Sequence, residues 1–515
     1  MNDMKKNIIR IVGTIVAAFM VSACNLDLIP TSDIVYDENE PTIQKESDLV
    51  GFESSLHAYF RSMHQGTYYY ISDVMGDGFN ATVDFGNNFG PIHRTDSDFT
   101  AGDQDVEDVF GNYFVAISKF NQAIAAFNNI PDETLRKESL VPKGYAFFYR
   151  AYSYLYLARY FGKAYNPATA ETDLSVPIVL KYDQNERPAR STQKQVYEQI
   201  KKDLDSAAVL LADQKFTALR SDRPNIDAVD ALYARYYLDV QDYDNAAAKA
   251  QGLITSGNYK LSSTDAEFQS EFVNDAGTEP ILQYFASLNE APNSLYNYTR
   301  LTTANKQDVY SPYFLPSGKL IDSYGAGDLR LKNWFKASGD ASYPIYMTGT
   351  AHVNPNVLVF TKFEGNLAYT SQTLPQGQNA IKPFRISEMY LIAAEALFKN
   401  NKTSAALAVL NELQTARNAT LTTAINEAAI QKEWFIETVG EGQRVWCLKR
   451  WNVGYDNRYG QPAAIADNLI YKGEYYTERK MNAGDYHFTL PIPTYEMRIN
   501  SNLVQNEGYD LLAGE

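Results

Sequence analysis

Acid–base, metal and nucleophilic chemistry each require certain side chains at certain spacings, and this chain offers 62 acidic residues, five histidines and two cysteines for them. His57, His64, His93, His352 and His487 are scattered, with no HExxH and no Cys/His ligand spacing among them, so no metal ligand is assigned. No EF-hand-like run marks a calcium site, and a calcium held by loop oxygens is left open. There is no GxSxG elbow and no Walker loop. Gly440-Glu-Gly442 and Gly325-Ala-Gly327 lack the third glycine of a dinucleotide fingerprint. Asp73 and Asp77 would share one face of a helix. Glycoside hydrolysis needs two carboxylates at a set separation, but in so acidic a chain such pairs arise by chance, and a like-charged pair is more often a solvated or capping feature. No catalytic residue and no cofactor is assigned, and the chain is not expected to be an enzyme.

The cysteines point elsewhere. Lys5, Lys6 and Arg10 precede a largely apolar run from Ile11 to Met20, and Val21-Ser22-Ala23 supplies small residues for cleavage. That is the form of an export signal over residues 1–23, with an apolar run too short to span a bilayer. Cys24 follows directly, and Val-Ser-Ala-Cys resembles a bacterial lipobox, in which the cysteine is lipidated and becomes the new N-terminus. An exported protein usually pairs or avoids its cysteines. Lipidation accounts for Cys24 and leaves Cys447 alone, expected to be buried on a helix and inert. Residues 24–43, rich in Asp, Glu, Pro and Thr, read as a tether between anchor and body.

Removing residues 1–23 takes away Lys5, Lys6, Arg10 and Asp3, so 43 basic and 61 acidic side chains remain and the net charge falls from -16 to -18. Without a basic run, nucleic acid is excluded as a partner, and so is a polybasic hold on anionic lipid. The 38 tyrosines and 26 phenylalanines stand against only 4 tryptophans. Tyrosine packs like any aromatic and hydrogen-bonds at its tip, which suits both helix contacts and a surface for polar, flat-faced ligands.

The elements that would position such residues are paired amphipathic helices. Val196, Tyr197, Ile200, Leu204, Ala207 and Leu211 fall on one face, with Thr192 and Gln195 as a capping box before them. Residues 53–63 read as another helix. A degenerate repeat pairs residues 231–254 with 390–413 at an offset of 159, matching Leu232, Ala234, Leu238 and Ala246 to Leu391, Ala393, Leu397 and Ala405. Helix, short polar turn and helix with alanine at the contact is the logic of a tetratricopeptide-like unit. Residues 110–130 could pair with 145–161 in the same way. Two long stretches, 77–103 and 285–347, read as irregular, the first broken by Gly78, Gly86 and Gly90. Their aromatics argue for order.

In chain order these segments resemble the SusD/RagB family. Residues 144–162, containing Arg150-Ala-Tyr152 and ending in Gly162, are similar to its Arg-Ala-Tyr helix. Val176-Pro-Ile178 resembles a GVPL strand, with Ser175 in place of the glycine. Arg190-Ser-Thr192 with Val196-Tyr197 and Asp203-Leu204, then Gly257-Asn-Tyr259-Lys-Leu261, follow as that family would have them. Further on come Leu320-Ile-Asp-Ser-Tyr324 with Asp328 and Arg330, and the helix from Arg385 to Ala396. Glu433, Glu437 and Glu441-Gly-Gln-Arg444 precede Leu448-Lys-Arg450, with Cys447 where the family often has Asp. Residues 490–496 and 502–509 resemble its closing segment. These matched residues are expected to be structural, with Arg385, Glu388, Glu395, Glu437 and Arg444 in internal ion pairs and caps. Trp434, Trp446 and Trp451 are expected in the core.

The resemblance implies a mainly α fold of tetratricopeptide-like repeats with long loops and a few short strands. Residues 44–262 and 263–515 would form the two regions of one intertwined domain. It also implies an outer-membrane lipoprotein facing the cell exterior, capturing oligosaccharide, or in some members peptide, for a SusC-like TonB-dependent transporter. Corresponding loops line the binding face in the family, but their sequences diverge. Sugar rings pack C–H faces on aromatics and need polar partners for their hydroxyls. The loops here offer Asp77, Asn80, Asn87, Asn88 and Arg94, then Tyr296, Tyr298, Arg300, Tyr310 and Tyr313 as ligand-binding candidates. The competing reading is that each aromatic merely packs its loop onto the helices. Two other functions are weighed against glycan capture, namely a repeat scaffold for peptide or protein and a surface glycoside hydrolase.

Overall fold

The computed structural model describes residues 42–64, 67–85, 88–183, 185–290, 298–339 and 343–509. The signal segment, Cys24, Asn87 and Tyr296 lie outside them. The longer helices are α1 (Glu46–Ser62), α2 (Thr67–Met75), α3 (Gln104–Asn128), α4 (Leu140–Phe161), α5 (Gln193–Leu210), α6 (Ile226–Asp239), α7 (Tyr243–Ser256), α8 (Ile386–Lys399), α9 (Thr403–Ala416), α10 (Glu427–Glu437) and α11 (Arg444–Trp451). Ile43 is wholly buried, so the packed body begins within the stretch expected to be tether.

Helix α4 is the spine. Apart from Phe147, every residue from Tyr145 to Phe161 is buried, and the helix packs on α1, α3 and α5. So many aromatics can be enclosed only where their polar tips find partners. The Tyr154 hydroxyl donates to the carbonyl of Val179 and accepts from its N–H, both at 2.7 Å. The two buried arginines of this helix are likewise held. Arg150 forms a forked pair with Asp203 at 2.8 and 2.6 Å, and Arg159 one with Asp239 at 2.7 and 2.9 Å. Planar guanidinium–carboxylate pairs of this kind fix helix register as well as neutralising charge. The predicted face of α5 is buried residue by residue, and its capping box is present.

The repeat is real, but its register differs by one residue from the sequence alignment. Helices α6 and α7 are each 14 residues long and joined by three residues, and so are α8 and α9. Each turn carries one residue in the left-handed region, Gln241 (φ 63°) or Asn401 (φ 59°). These features superpose at an offset of 160. Ala246 therefore corresponds to buried Ala406, whereas Ala405, its partner in the ungapped alignment, is exposed. Ala250 with Leu410, and Leu253 with Leu413, complete the buried stripe. The first hairpin stacks on the second through α7 and α8. Arg235 of α6 also reaches Glu388 of α8 at 2.5 and 2.7 Å.

The stretches expected to be irregular contain short strands. Those among the described residues are β1 (Phe79–Ala81), β2 (Pro280–Leu282), β3 (Leu301–Ala304), β4 (Gln307–Tyr310), β5 (Phe314–Pro316), β6 (Phe335–Ala337), β7 (Ile345–Met347), β8 (Thr350–His352), β9 (Leu358–Phe360) and β10 (Phe384–Arg385). They pair as β1–β5, β10–β2, β6–β9 and the four-stranded sheet β3–β4–β7–β8. Leu301, Tyr310, Leu315, Ile345, Met347 and Val359 belong to a small core of their own, apart from the main core that runs from Ile43 to Tyr509. By contrast, residues 176–178 form no regular strand. No helix among the described residues is long and apolar enough to cross a membrane.

Helices and strands meet at a buried ionic cluster. Glu437 accepts from Arg417 at 2.7 and 3.0 Å, from Arg330 at 3.0 Å and from Arg385 at 3.2 Å. Glu279 pairs with Arg385 at 2.7 Å and Arg417 at 2.8 Å. Arg330 is also shared by Asp328 and Glu433. Burial alone would raise the pKa of Glu437, yet Arg417, Arg385 and Arg330 together hold it well below the usual carboxylate range. Arg385, Glu388, Glu395, Glu437 and Arg444 all sit in internal ion pairs, as their positions in the matched segments suggested. Breaking a buried pair from one side costs about 3–5 kcal/mol. Glu437→Gln is therefore expected to lower the unfolding free energy by about that amount in urea titrations; a loss under about 1 kcal/mol would mean the cluster is not what closes this junction.

Candidate ligand-binding face

Three segments run side by side at the loop end of the molecule. The N–H of Thr82 donates to the Tyr313 carbonyl at 3.0 Å, that of Val83 to Leu469, and that of Tyr471 to Ala81. Residues 81–83 are thus sandwiched between 313–314 and 469–471, which brings both predicted loops together with a third that the sequence reading did not single out. Arg300 lies in the left-handed region (φ 35°), and its guanidinium sits 5.1 Å from the ring centroid of Tyr313. Both are part-exposed. On the other edge the Tyr471 ring stacks on Tyr476 at 4.9 Å, and its hydroxyl donates to the Val83 carbonyl. Tyr471 and Tyr475 remain about two-fifths exposed. Tyr343 and Tyr346, both part-exposed, lie just before β7 and at its middle. Aromatic faces with an arginine beside them, on segments tied together by backbone hydrogen bonds, are pre-arranged to take flat ligands at little ordering cost.

The predicted residues divide by burial. Arg300 and Tyr313 are brought together at the surface. Asn88 is part-exposed, its amide donating to the Phe85 carbonyl, and Arg94 is paired with Asp96 and with Asp98 at 3.1 Å. Asp77, Asn80, Tyr298 and Tyr310 point inward. The Asp77 carboxylate is taken by Arg444 at 2.6 Å and Lys319 at 2.7 Å. Asn80 donates to the Arg458 carbonyl at 2.5 Å, and Tyr298 stacks on Phe79 at 4.5 Å. Tyr310 donates to Glu364 at 3.2 Å. These four root the loops in the core: Asn80 lies on β1, buried throughout, Tyr310 ends β4, and Asp77 and Tyr298 are enclosed beside them. Tyr471, Tyr475 and Tyr476 were missed, though three tyrosines within six residues around Lys472-Gly473-Glu474 were a usable signal.

The carboxylate pair also resolves. Helix α2 ends at Met75, and Asp73 and Asp77 are both buried. Burial would raise Asp77, but Arg444 and Lys319 hold it well below the usual range. Burial pushes Asp73 up to about 7, against the N–H of Gly442 that donates to it at 2.6 Å. Carboxylates with pKa values driven apart are the signature of glycosidase acid–base pairs. Here, however, the space beside Asp73 is about 10 Å³, room for one water and not for a sugar ring. Among the described residues no group of three or more His, Cys, Asp or Glu could hold a metal ion.

Two family models match the chain in succession, one described as starch-binding associating with outer membrane over residues 36–238, the other as the SusD family over residues 285–509. The chain belongs to the SusD/RagB family. SusD-like protein P2 of Formosa agariphila is 25% identical over 450 residues, spanning 80% of this chain and 83% of that one. Starch-binding protein SusD of Bacteroides thetaiotaomicron is 29% identical over 127 residues, 24% of this chain and 21% of its own. Among solved structures, a SusD superfamily protein from Bacteroides thetaiotaomicron has a TM-score of 0.72 at 24% identity, covering 89% of this chain and 99% of its own. A protein from Bacteroides vulgatus described as sugar binding has a TM-score of 0.72 at 22%, covering 92% and 100%. The mainly helical SusD-like fold is therefore shared across nearly the whole body.

The Asp73 environment has a pH consequence. A carboxyl at about 7 in the fold and near 3.8 when unfolded binds more proton in the folded state between those values. Its contribution to stability is therefore full below pH 4 and is lost as pH rises to 7. Asp73→Asn keeps an acceptor for Gly442 and cannot ionise. The variant is expected to gain in melting temperature over the parent at pH 8, with the gain shrinking as pH falls toward 4; a difference independent of pH would contradict the assignment.

Proposed function

We propose that this protein captures oligosaccharides at the cell surface and passes them to a SusC-like TonB-dependent outer-membrane transporter without cleaving them. Residues 1–23 are the export signal, and Cys24 carries the lipid that holds the protein on the outer membrane. The observation that carries the reading is the tyrosine face itself, in which Arg300 over Tyr313 and the exposed rings of Tyr471 and Tyr475 sit on segments that flank short strands packed on the helical body. The relatives described as starch-binding and sugar-binding point to the same ligand class. Arg94, Asn88, Arg300 and Tyr313 are the proposed contacts from the sequence reading, joined by Tyr471 and Tyr475, with Asn87 and Tyr296 from segments outside the described residues. The cramped, internally committed Asp73–Asp77 pair supports a binding role over hydrolysis.

Tagged protein expressed from its own signal, with Cys24 intact, is expected to bring down a TonB-dependent barrel from detergent-solubilised membranes, and Cys24→Ser to lose the membrane fraction. In titration calorimetry against neutral oligosaccharides, Arg300→Ala and Tyr475→Ala are each expected to weaken binding by about tenfold, the loss of roughly 1.4 kcal/mol. Sustained release of shorter sugars, or a panel in which peptides bind and sugars do not, would overturn the proposal.

A further inference from the structure

A cleft of about 850 Å³ opens between the segment after α4, the end of α11 and residues 482–508. Its size is that of a small-molecule site, roughly 300–1,000 Å³, and it shares no lining residue with the tyrosine face. Two tyrosines line it from different segments. Tyr165 is part-exposed and packs on Tyr197 at 4.8 Å, while Tyr486 is 42% exposed. Tyr486 is braced from behind by His487, stacked at 3.9 Å, and by Gly508, where any side chain would collide with the ring. The ring is thus held in place while part of it stays exposed.

Most charges on the lining have partners, although among the described residues the Asp173 carboxylate accepts only from the Thr169 hydroxyl, at 2.5 Å. Lys163 pairs with Glu507 at 3.2 Å, and Asp485 accepts from His487 at 2.7 Å. Arg450 is paired with Glu395. Lys449 has no carboxylate partner; it donates to the carbonyls of Arg159 and Gly162 at 2.5 and 2.7 Å, capping the C-terminal end of α4. Burial brings that amine down to about 7, so it offers little to an anion. Amides are also left over. The side chains of Asn452 and Asn482, both exposed on the lining, have no hydrogen-bond partner among the described residues, and the Gln241 carbonyl oxygen is also open. Partly exposed aromatic rings with spare amides, beside carboxylates that accept from hydroxyls, match a neutral polyhydroxylated ligand, since amides both donate to and accept from hydroxyls.

We infer that this cleft is a second binding site for neutral oligosaccharide, remote from the tyrosine face. The inference rests on the glycan-binding reading above. The full mature chain would be titrated calorimetrically with maltoheptaose, xylohexaose and mannohexaose, beside Ala483→Trp, Asn482→Ala and Tyr475→Ala. Ala483 is exposed on the lining, so a tryptophan there fills the cleft without entering the core. The parent is expected to bind one of these sugars at two sites per chain. Ala483→Trp loses one site, Asn482→Ala weakens that same site several-fold, and Tyr475→Ala affects only the other. A single site, unchanged in both cleft variants and weakened by Tyr475→Ala, overturns this inference and leaves the functional reading standing. No binding of any of the three sugars overturns both. Normal sugar binding by Ala483→Trp together with loss of the co-purifying barrel overturns it in favour of a protein interface.

Discussion

Glu437 lies at the end of α10 with its two carboxylate oxygens divided among Arg330, Arg385 and Arg417, all of them buried. Each arginine comes from a different place: one from the short helix after Asp328, one from the start of α8, one just past α9. Glu279, next to β2, binds two of the three from the other side. Such a cluster has no water to fall back on, so every member must be in place for any to be tolerable. The helical hairpins and the strands at the base of the loops therefore have a single compatible arrangement. The loop surface inherits its shape from that junction. Lys362 shows how tightly it is closed: its amine lies 3.9 Å from the centre of the Trp334 ring while pairing with Glu441 at 2.6 Å.

Several arginines of the helical body are internal, Arg385 among them as expected. Arg150, Arg159, Arg235 and Arg385 each meet a buried carboxylate across an element boundary. Replacing either member alone strands the other, so such positions resist change without touching any ligand. Tyr471 and Tyr475, both about two-fifths exposed, sit outside these buried pairs. A surface on which aromatic rings are added or moved at small structural cost can be retuned for another ligand over an unchanged body.

Long periodic helices were legible because burial imposes a period on them, as in α5, where every predicted inward residue is inward. The repeat was legible as a pattern but not in register. Ala405 and Ala406 are chemically identical neighbours, and only the turn, with Asn401 in the left-handed region, fixes which one faces in. Strands of three or four residues, such as β1 and β5, are too short for alternation to show, which is why residues 77–103 and 285–347 read as irregular. The same brevity hid the inward turn of Asn80 and Tyr310, and Asp77 and Tyr298 lie just outside any strand. Composition can place an aromatic in a loop, but pairing between distant segments decides which side of the loop it occupies. Tyr471 escaped notice for a related reason, since its neighbours Ala81 and Val83 are almost 400 positions away.

Cys447 is buried on α11, its thiol raised by burial to about 11 and in contact with the Arg450 side chain. A thiol reagent attacks the thiolate, so in the closed protein this sulfur is shielded both sterically and by its ionisation. It reacts only during excursions that lift α11 away from the Arg444–Asp77 pair and the core. As the single cysteine of the body, it is a built-in clock, whose labelling rate at fixed reagent concentration measures how often the junction between helices and loops opens.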